Sequence, residues 1–116
     1  MKRQPLLRRL GWALAGWREA WRTEGSFRTQ IFFVTLGLVL FAIVRPAPIW
    51  WALAVLTGAL SIGAELMNSS LERLADRLHP EQHPDIGASK DMAAGAVLAL
   101  AIAGAVIAVL AVLSTR

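Results

Sequence analysis

Apolar residues fall along this chain in two different patterns. Over residues 1 to about 25 they recur every three or four positions, at Leu6, Leu10, Ala13, Trp17 and Trp21, with Trp12 at the edge of the stripe. Arg3, Arg8, Arg9, Arg18 and Arg22 stand between them. The spacing predicts an amphipathic helix over about 5–25, lying flat in a membrane interface with its rings among headgroups and its guanidiniums toward water or anionic lipid. A secretory signal is the weaker reading, because no apolar core precedes a small-residue cleavage site. Beyond residue 30 the periodicity gives way to continuous apolar runs. The run 31–44 ends at Arg45-Pro46-Ala47-Pro48, a tight exit loop that no helix continues through. A membrane crossing needs roughly 20 residues, so this first span is placed over about 27–44, with Arg28 snorkelling outward. A second run opens on Ile49, Trp50 and Trp51, aromatic anchors for the far interface, and gives a span over about 49–69 with a helical extension to 78. His79-Pro80-Glu81-Gln82-His83-Pro84-Asp85 reads as a solvated turn: its histidines have a metal-ligand spacing on a helix, but the prolines oppose that helix. A third span follows over about 91–113, with Gly95, Ala99, Ala103, Gly104 and Ala108 suited to close helix packing.

Composition agrees with that outline. The chain has 116 residues, 56% hydrophobic and 17% charged, which is more apolar surface than a soluble domain of this size can hide. It reads as one all-α membrane domain over 1–116: a surface helix plus three transmembrane helices. No cysteine is present, which excludes disulfide and thiol chemistry. Charge is distributed by side. Lys2, Arg3, Arg8, Arg9, Arg18, Arg22 and Arg28 lie in the N-terminal segment up to residue 28, and Arg73, Arg77 and Lys90 flank the 79–90 loop, against Arg45 and Arg116 on the other side. The positive-inside rule puts the N-terminus and that loop in the cytoplasm. Low overall charge without a separate basic region argues against nucleic acid and for a membrane surface.

The candidate chemistry lies where the second span ends. On a helix, Glu65, Asn68, Glu72 and Asp76 fall within roughly 80° of one another, and Glu65 and Glu72 are roughly 10 Å apart along the axis. Those two carboxylates therefore need different jobs. Glu65, at the edge of an apolar run, is a functional residue by default, since an ionisable group at membrane depth costs a few kcal/mol or more. Glu72 and Asp76 also suit a plain solvated face paired with Arg73 and Arg77. Glu24, Arg28, Glu72, Asp76, Lys90 and Asp91 are all expected at the same interface. Glu24 and Glu72 suit a hard divalent cation that takes its other ligands from water and phosphate. Ser89 is placed to N-cap the third span, which would put Lys90 beside a positive helix end fit to hold phosphate; Lys90 also reads as an interfacial anchor. Glu65 suits removal of a proton from an alcohol dissolved in lipid, and alignment with charge neutralisation is most of what phosphoryl transfer requires. Neither GxxxxGK[ST] nor GxGxxG occurs in the chain.

The blocks Trp21-x-x-Glu24-x-x-Phe27-Arg28, Glu65-x-x-Asn68-Ser69-x-x-Glu72-x-x-x-Asp76-Arg77 and Lys90-Asp91-Met92 together resemble the small bacterial membrane diacylglycerol kinase family, over nearly the whole chain. The resemblance implies a homotrimer in the bacterial cytoplasmic membrane with active sites shared between neighbours. It implies transfer of the ATP γ-phosphate to a lipid hydroxyl with Mg2+ present. By motif, Glu24 and Glu72 correspond to metal ligands, Glu65 to the general base, Asn68 to a site-organising residue and Lys90 to a phosphate-binding lysine. Asp91 corresponds to a further functional position, and Arg28 and Asp76 to the nucleotide side of the site. Gln30 departs from the pattern, standing where the enterobacterial type has an acidic residue near the nucleotide. Diacylglycerol is the expected acceptor, and undecaprenol is the alternative within the family. A small proton-coupled transporter using Glu65 is the reading from a different class; it leaves Glu24, Asn68, Glu72 and the Lys90-Asp91 pair without a role.

Overall fold

The computed structural model describes residues 5–116, so Lys2 and Arg3 lie outside the described residues. Four helices follow one another: α1 (Leu6–Thr23), α2 (Gly25–Val44), α3 (Pro48–Leu78) and α4 (Pro84–Ser114). The last three are long and apolar enough to cross a membrane. With 20 residues, α2 is about 30 Å long, close to the thickness of a hydrocarbon core. With 31 residues each, α3 and α4 are about 46 Å long and must project beyond that core by several turns.

One residue, Glu24, is the entire connection between α1 and α2. Its extended backbone (φ −113°, ψ 105°) ends one helix and begins the other: its N–H donates to the Ala20 carbonyl at 2.8 Å and its own carbonyl accepts from the Arg28 N–H at 3.3 Å. Arg28 also turns back to donate to the Trp21 carbonyl at 2.6 Å, satisfying one of the acceptors that α1 leaves unpaired at its C-terminus. Trp17 and the buried Phe27 meet edge to face across this join, ring centroids 5.7 Å apart. At the other end of α2, Arg45 adopts a left-handed conformation (φ 52°) and its N–H returns to the Phe41 carbonyl. A three-residue link then leads into α3, whose N1 position is Pro48, where a missing N–H costs nothing. Phe41 and Trp51 pack edge to face beside that link.

α3 is the central element and touches all three others. Gly58 gives α2 its closest approach, since a Cβ there would lie 3.0 Å from a Val34 methyl. Gly104 of α4 faces Thr57 at ordinary contact distance, one place where the small residues of the third span serve helix packing as expected.

The start of α4 corrects one expectation. Ser89 lies inside the helix and is not its cap; the N-cap is His83, whose ring Nδ1 accepts from the Asp85 N–H at 3.1 Å. The second proline of the loop opens a helix, because at N1 it has no N–H to lose and Asp85 in the first turn complements the helix dipole. Lys90 therefore stands seven positions into α4, beyond the first turn in which the positive end of a helix acts.

Candidate active site

Glu65 is only 3% exposed, on a buried stripe of α3 that also holds Gly58, Ser61 and Ser69. Spacing of three to four residues puts this set on one face. Its carboxylate is held at a single oxygen: Ser69 Oγ, one turn along α3, donates to Oε2 at 3.2 Å, and Ser26 Oγ, from the first turn of α2, donates to the same atom at 3.1 Å. One turn away, the buried Oδ1 of Asn68 has no hydrogen-bond partner among the described residues. A buried acceptor left unpaired costs about 1–3 kcal/mol and calls for a functional account.

Nearer the surface, Arg73 does not pair with Glu72. It reaches back to the end of α1, donating to Glu19 Oε2 at 3.1 Å, Thr23 Oγ1 at 2.7 Å and Glu24 Oε2 at 2.9 Å. The Glu24 and then the Glu19 carboxylates raise the Arg73 pKa further above its ordinary value. Hydrogen bonds from Arg22 and then Arg73 hold the Glu19 carboxyl below its ordinary value. Glu72 has no hydrogen bond or ion pair among the described residues, and Asp76 pairs with Lys90 of α4 rather than with Arg77. Asp76 and Arg73 thus make contacts between helices in place of the pairing along α3 that a plain solvated face would give, while Glu72 stays unpaired among the described residues. Asp91 is exposed on the projecting part of α4.

Two hollows flank this line of residues. A polar one of about 580 Å³ lies between the projecting ends of α3 and α4, lined by Asp76, Lys90 and the loop residues His79, Glu81 and His83. An apolar groove of about 820 Å³ runs between α2 and α4 along α3, with Thr29, Gln30, Thr57 and Ser61 as its polar points. Gln30 therefore faces the groove and is absent from the lining of the polar pocket.

Oxygens left without a hydrogen bond among the described residues include the second oxygen of Glu24, the Glu72 carboxylate and Asn68 Oδ1. An all-oxygen donor set of that kind fits magnesium, which keeps waters and takes phosphate oxygens besides one or two carboxylates. Among the described residues of one chain, no three acidic, histidine or cysteine side chains converge on a point, so one chain alone does not form a closed cage.

Glu65 and Asn68 stand out in the sequence, whereas Ser26, Glu19, Thr23 and the role of Arg73 do not. Ser69 had a usable signal, four residues from Glu65 on one helical face. Ser26 had none, because its contact with Glu65 spans 39 residues and exists only through the packing of α2 on α3.

The family model for prokaryotic diacylglycerol kinases matches residues 11–112. A diacylglycerol kinase of Escherichia coli (strain K12) is 33% identical over 102 residues, covering 88% of this chain and 83% of that protein. One from Helicobacter pylori (strain J99) is 33% identical over 93 residues, 80% of this chain and 73% of its own. One from Pseudomonas aeruginosa is 30% identical over 91 residues, 78% and 74% respectively.

Proposed function

Since the chain belongs to the prokaryotic diacylglycerol kinase family, a family of membrane lipid kinases, we propose that it transfers the γ-phosphate of ATP to the hydroxyl of diacylglycerol, giving phosphatidic acid. The observation that carries this reading is Glu65: a carboxylate 3% exposed on a membrane-crossing helix, anchored through one oxygen, at the depth where a lipid alcohol arrives. It acts as general base, taking the alcohol proton as the oxygen attacks phosphorus.

The remaining residues take roles that their contacts permit. The nucleotide phosphates lie over the polar pocket between α3 and α4, within reach of Lys90. An ammonium has three donors, so Lys90 keeps Asp76 and still binds a phosphate oxygen, while Asp76 fixes where the ammonium points. Glu24 and Glu72 would hold Mg2+, which would neutralise phosphate charge when bound. Arg73 engages one Glu24 oxygen and leaves the other for the metal. Asn68, with its unpaired Oδ1, orders the ligands between base and metal. Arg28 acts on the nucleotide side indirectly, by fixing the α1–α2 join. Asp91, exposed and next to Lys90 in sequence, takes a further functional position outside the lining of the pocket.

The site faces the cytoplasm, where ATP is, as the distribution of Lys and Arg requires. It is completed by neighbouring copies in a homotrimer, Glu24 of one chain approaching Glu72 of the next.

The test is transfer from labelled ATP, with magnesium, by the purified protein in micelles holding diacylglycerol or undecaprenol. Labelled phosphatidic acid formed faster than labelled undecaprenyl phosphate supports the proposal. The reverse order reassigns the acceptor within the family. No labelled lipid from a folded oligomer sinks the kinase reading and makes proton flux through Glu65 the next measurement.

A further inference from the structure

Two hydroxyls converge on one carboxylate oxygen of Glu65, and they come from different helices. On the kinase reading above, we infer that Ser26 is a positioning residue: together with Ser69 it anchors Oε2 of Glu65 and so reserves Oε1 for the proton of the lipid alcohol. Ser26 Oγ and Ser69 Oγ lie 3.1 and 3.2 Å from Oε2, and among the described residues no hydrogen bond reaches Oε1.

A carboxylate with its two oxygens equally free presents either one by turning about its last bond. Two donors on one oxygen remove that equivalence. Ser69 is four residues along the same helix and moves with α3, so by itself it sets the carboxylate only relative to its own backbone. Ser26 belongs to α2 and ties the plane of the carboxylate to a second helix. It is also two residues beyond Glu24. The first turn of α2 thus carries the hydroxyl that aims the base and directly follows the carboxylate assigned to the metal, giving base and metal a common frame. Pre-set alignment of this kind is a large share of what phosphoryl transfer asks of a protein.

The step balances with the groups already named. The alcohol proton passes to Oε1, the alcohol oxygen bonds to the γ-phosphorus, and the bond from that phosphorus to the β,γ-bridging oxygen breaks with its electron pair leaving on ADP. Oε2 keeps both serine donors throughout.

Ser26 is exposed, so its truncation leaves no buried cavity, and the variant is expected to fold and assemble as the parent does. Lipid phosphorylation would be measured for Ser26→Ala, Ser69→Ala and Ser26→Thr in micelles, over a range of ATP concentrations. Ser26→Ala is expected to lower kcat about tenfold with the KM for ATP unchanged within about twofold, since general-base catalysis contributes about 10²–10⁴ in rate and misaiming forfeits part of it. Ser69→Ala should show the same split, and Ser26→Thr, which keeps the hydroxyl, should recover most of the rate. A Ser26→Ala enzyme with parental kcat overturns the inference. So does a loss that Ser26→Thr shares in full, which would make the side chain a packing element. A parent protein that phosphorylates no lipid overturns the kinase reading and this inference with it, and that outcome is visible before any variant is compared.

Discussion

A carboxylate at the depth of Glu65 is tolerated only if something offsets its lost hydration. A charged group at mid-membrane costs a few kcal/mol or more, and hydrogen bonds to a charged acceptor contribute about 1.5–3 kcal/mol each. Ser26 and Ser69 supply two, a sum of the right order. Glu65 itself was legible in the sequence because an acid beside an apolar run breaks the pattern. Its partners were not, since a serine breaks no pattern. Glu65→Gln keeps the shape and is expected to retain assembly and nucleotide binding while losing at least about 10²-fold in turnover, because an amide accepts no proton at neutral pH; turnover near the parental rate would remove Glu65 as base. Asn68 gives an opposed pair of outcomes. Its Oδ1 is buried and unpaired, a penalty of about 1–3 kcal/mol. Asn68→Leu should therefore leave thermal stability equal or higher while phosphate transfer falls. A variant that loses stability and activity together would make Asn68 a structural residue.

At the scale of elements, the Arg73 contacts fasten α1 to α3. The spacing of charges on α3 predicts pairing within that helix, whereas the Arg73 guanidinium binds residues roughly 50 positions earlier in the chain, an arrangement no local pattern encodes. The start of α4 departs from the local pattern for a related reason: proline breaks a helix interior, and its effect reverses at N1. The fastening should respond to pH. The Glu19 pKa is lowered by Arg22 and Arg73, so its ion pairs contribute fully above the ordinary carboxylate range and are lost as pH falls through the lowered value. In a variant retaining Trp17 as its sole tryptophan, iodide quenching should change as pH drops below that range. Arg73→Ala should already give the low-pH signal at neutral pH; a quenching profile identical to that of the Trp17-only parent would show that Arg73 does not hold α1. Exposed pairs of this kind are individually weak, so the expected change is in the position of α1 and not in global unfolding.

The molecule as a whole buries very little. Among the described residues the buried apolar side chains are Ala20, Phe27, Phe41, Pro46 and Ala111, while Phe32, Phe33, Leu36, Ile43, Leu98 and Ile102 are more than half exposed. That surface needs lipid or a second copy of the chain against it. The apolar runs made this legible early, because they exceed what one small fold can cover. Sharing of sites between copies has a direct test. Glu24→Gln and Glu72→Gln chains, each inactive alone, should regain a fraction of parental activity when unfolded, mixed and reassembled, because some interfaces then unite an intact Glu24 with an intact Glu72. No recovery would mean that each site draws both carboxylates from one chain. The join at Glu24 also bears on how such a protein can change length over generations. Because one residue is the whole connection, an inserted residue would rotate the arginine-bearing face of α1 by roughly 100° against the rest, removing Glu19 and Thr23 from Arg73 at a stroke. The five residues 79–83 between α3 and α4 impose no such phase. Insertions and deletions should accumulate in that loop and be absent at the join, so its length is a more restrictive inheritance than most of the side chains around it.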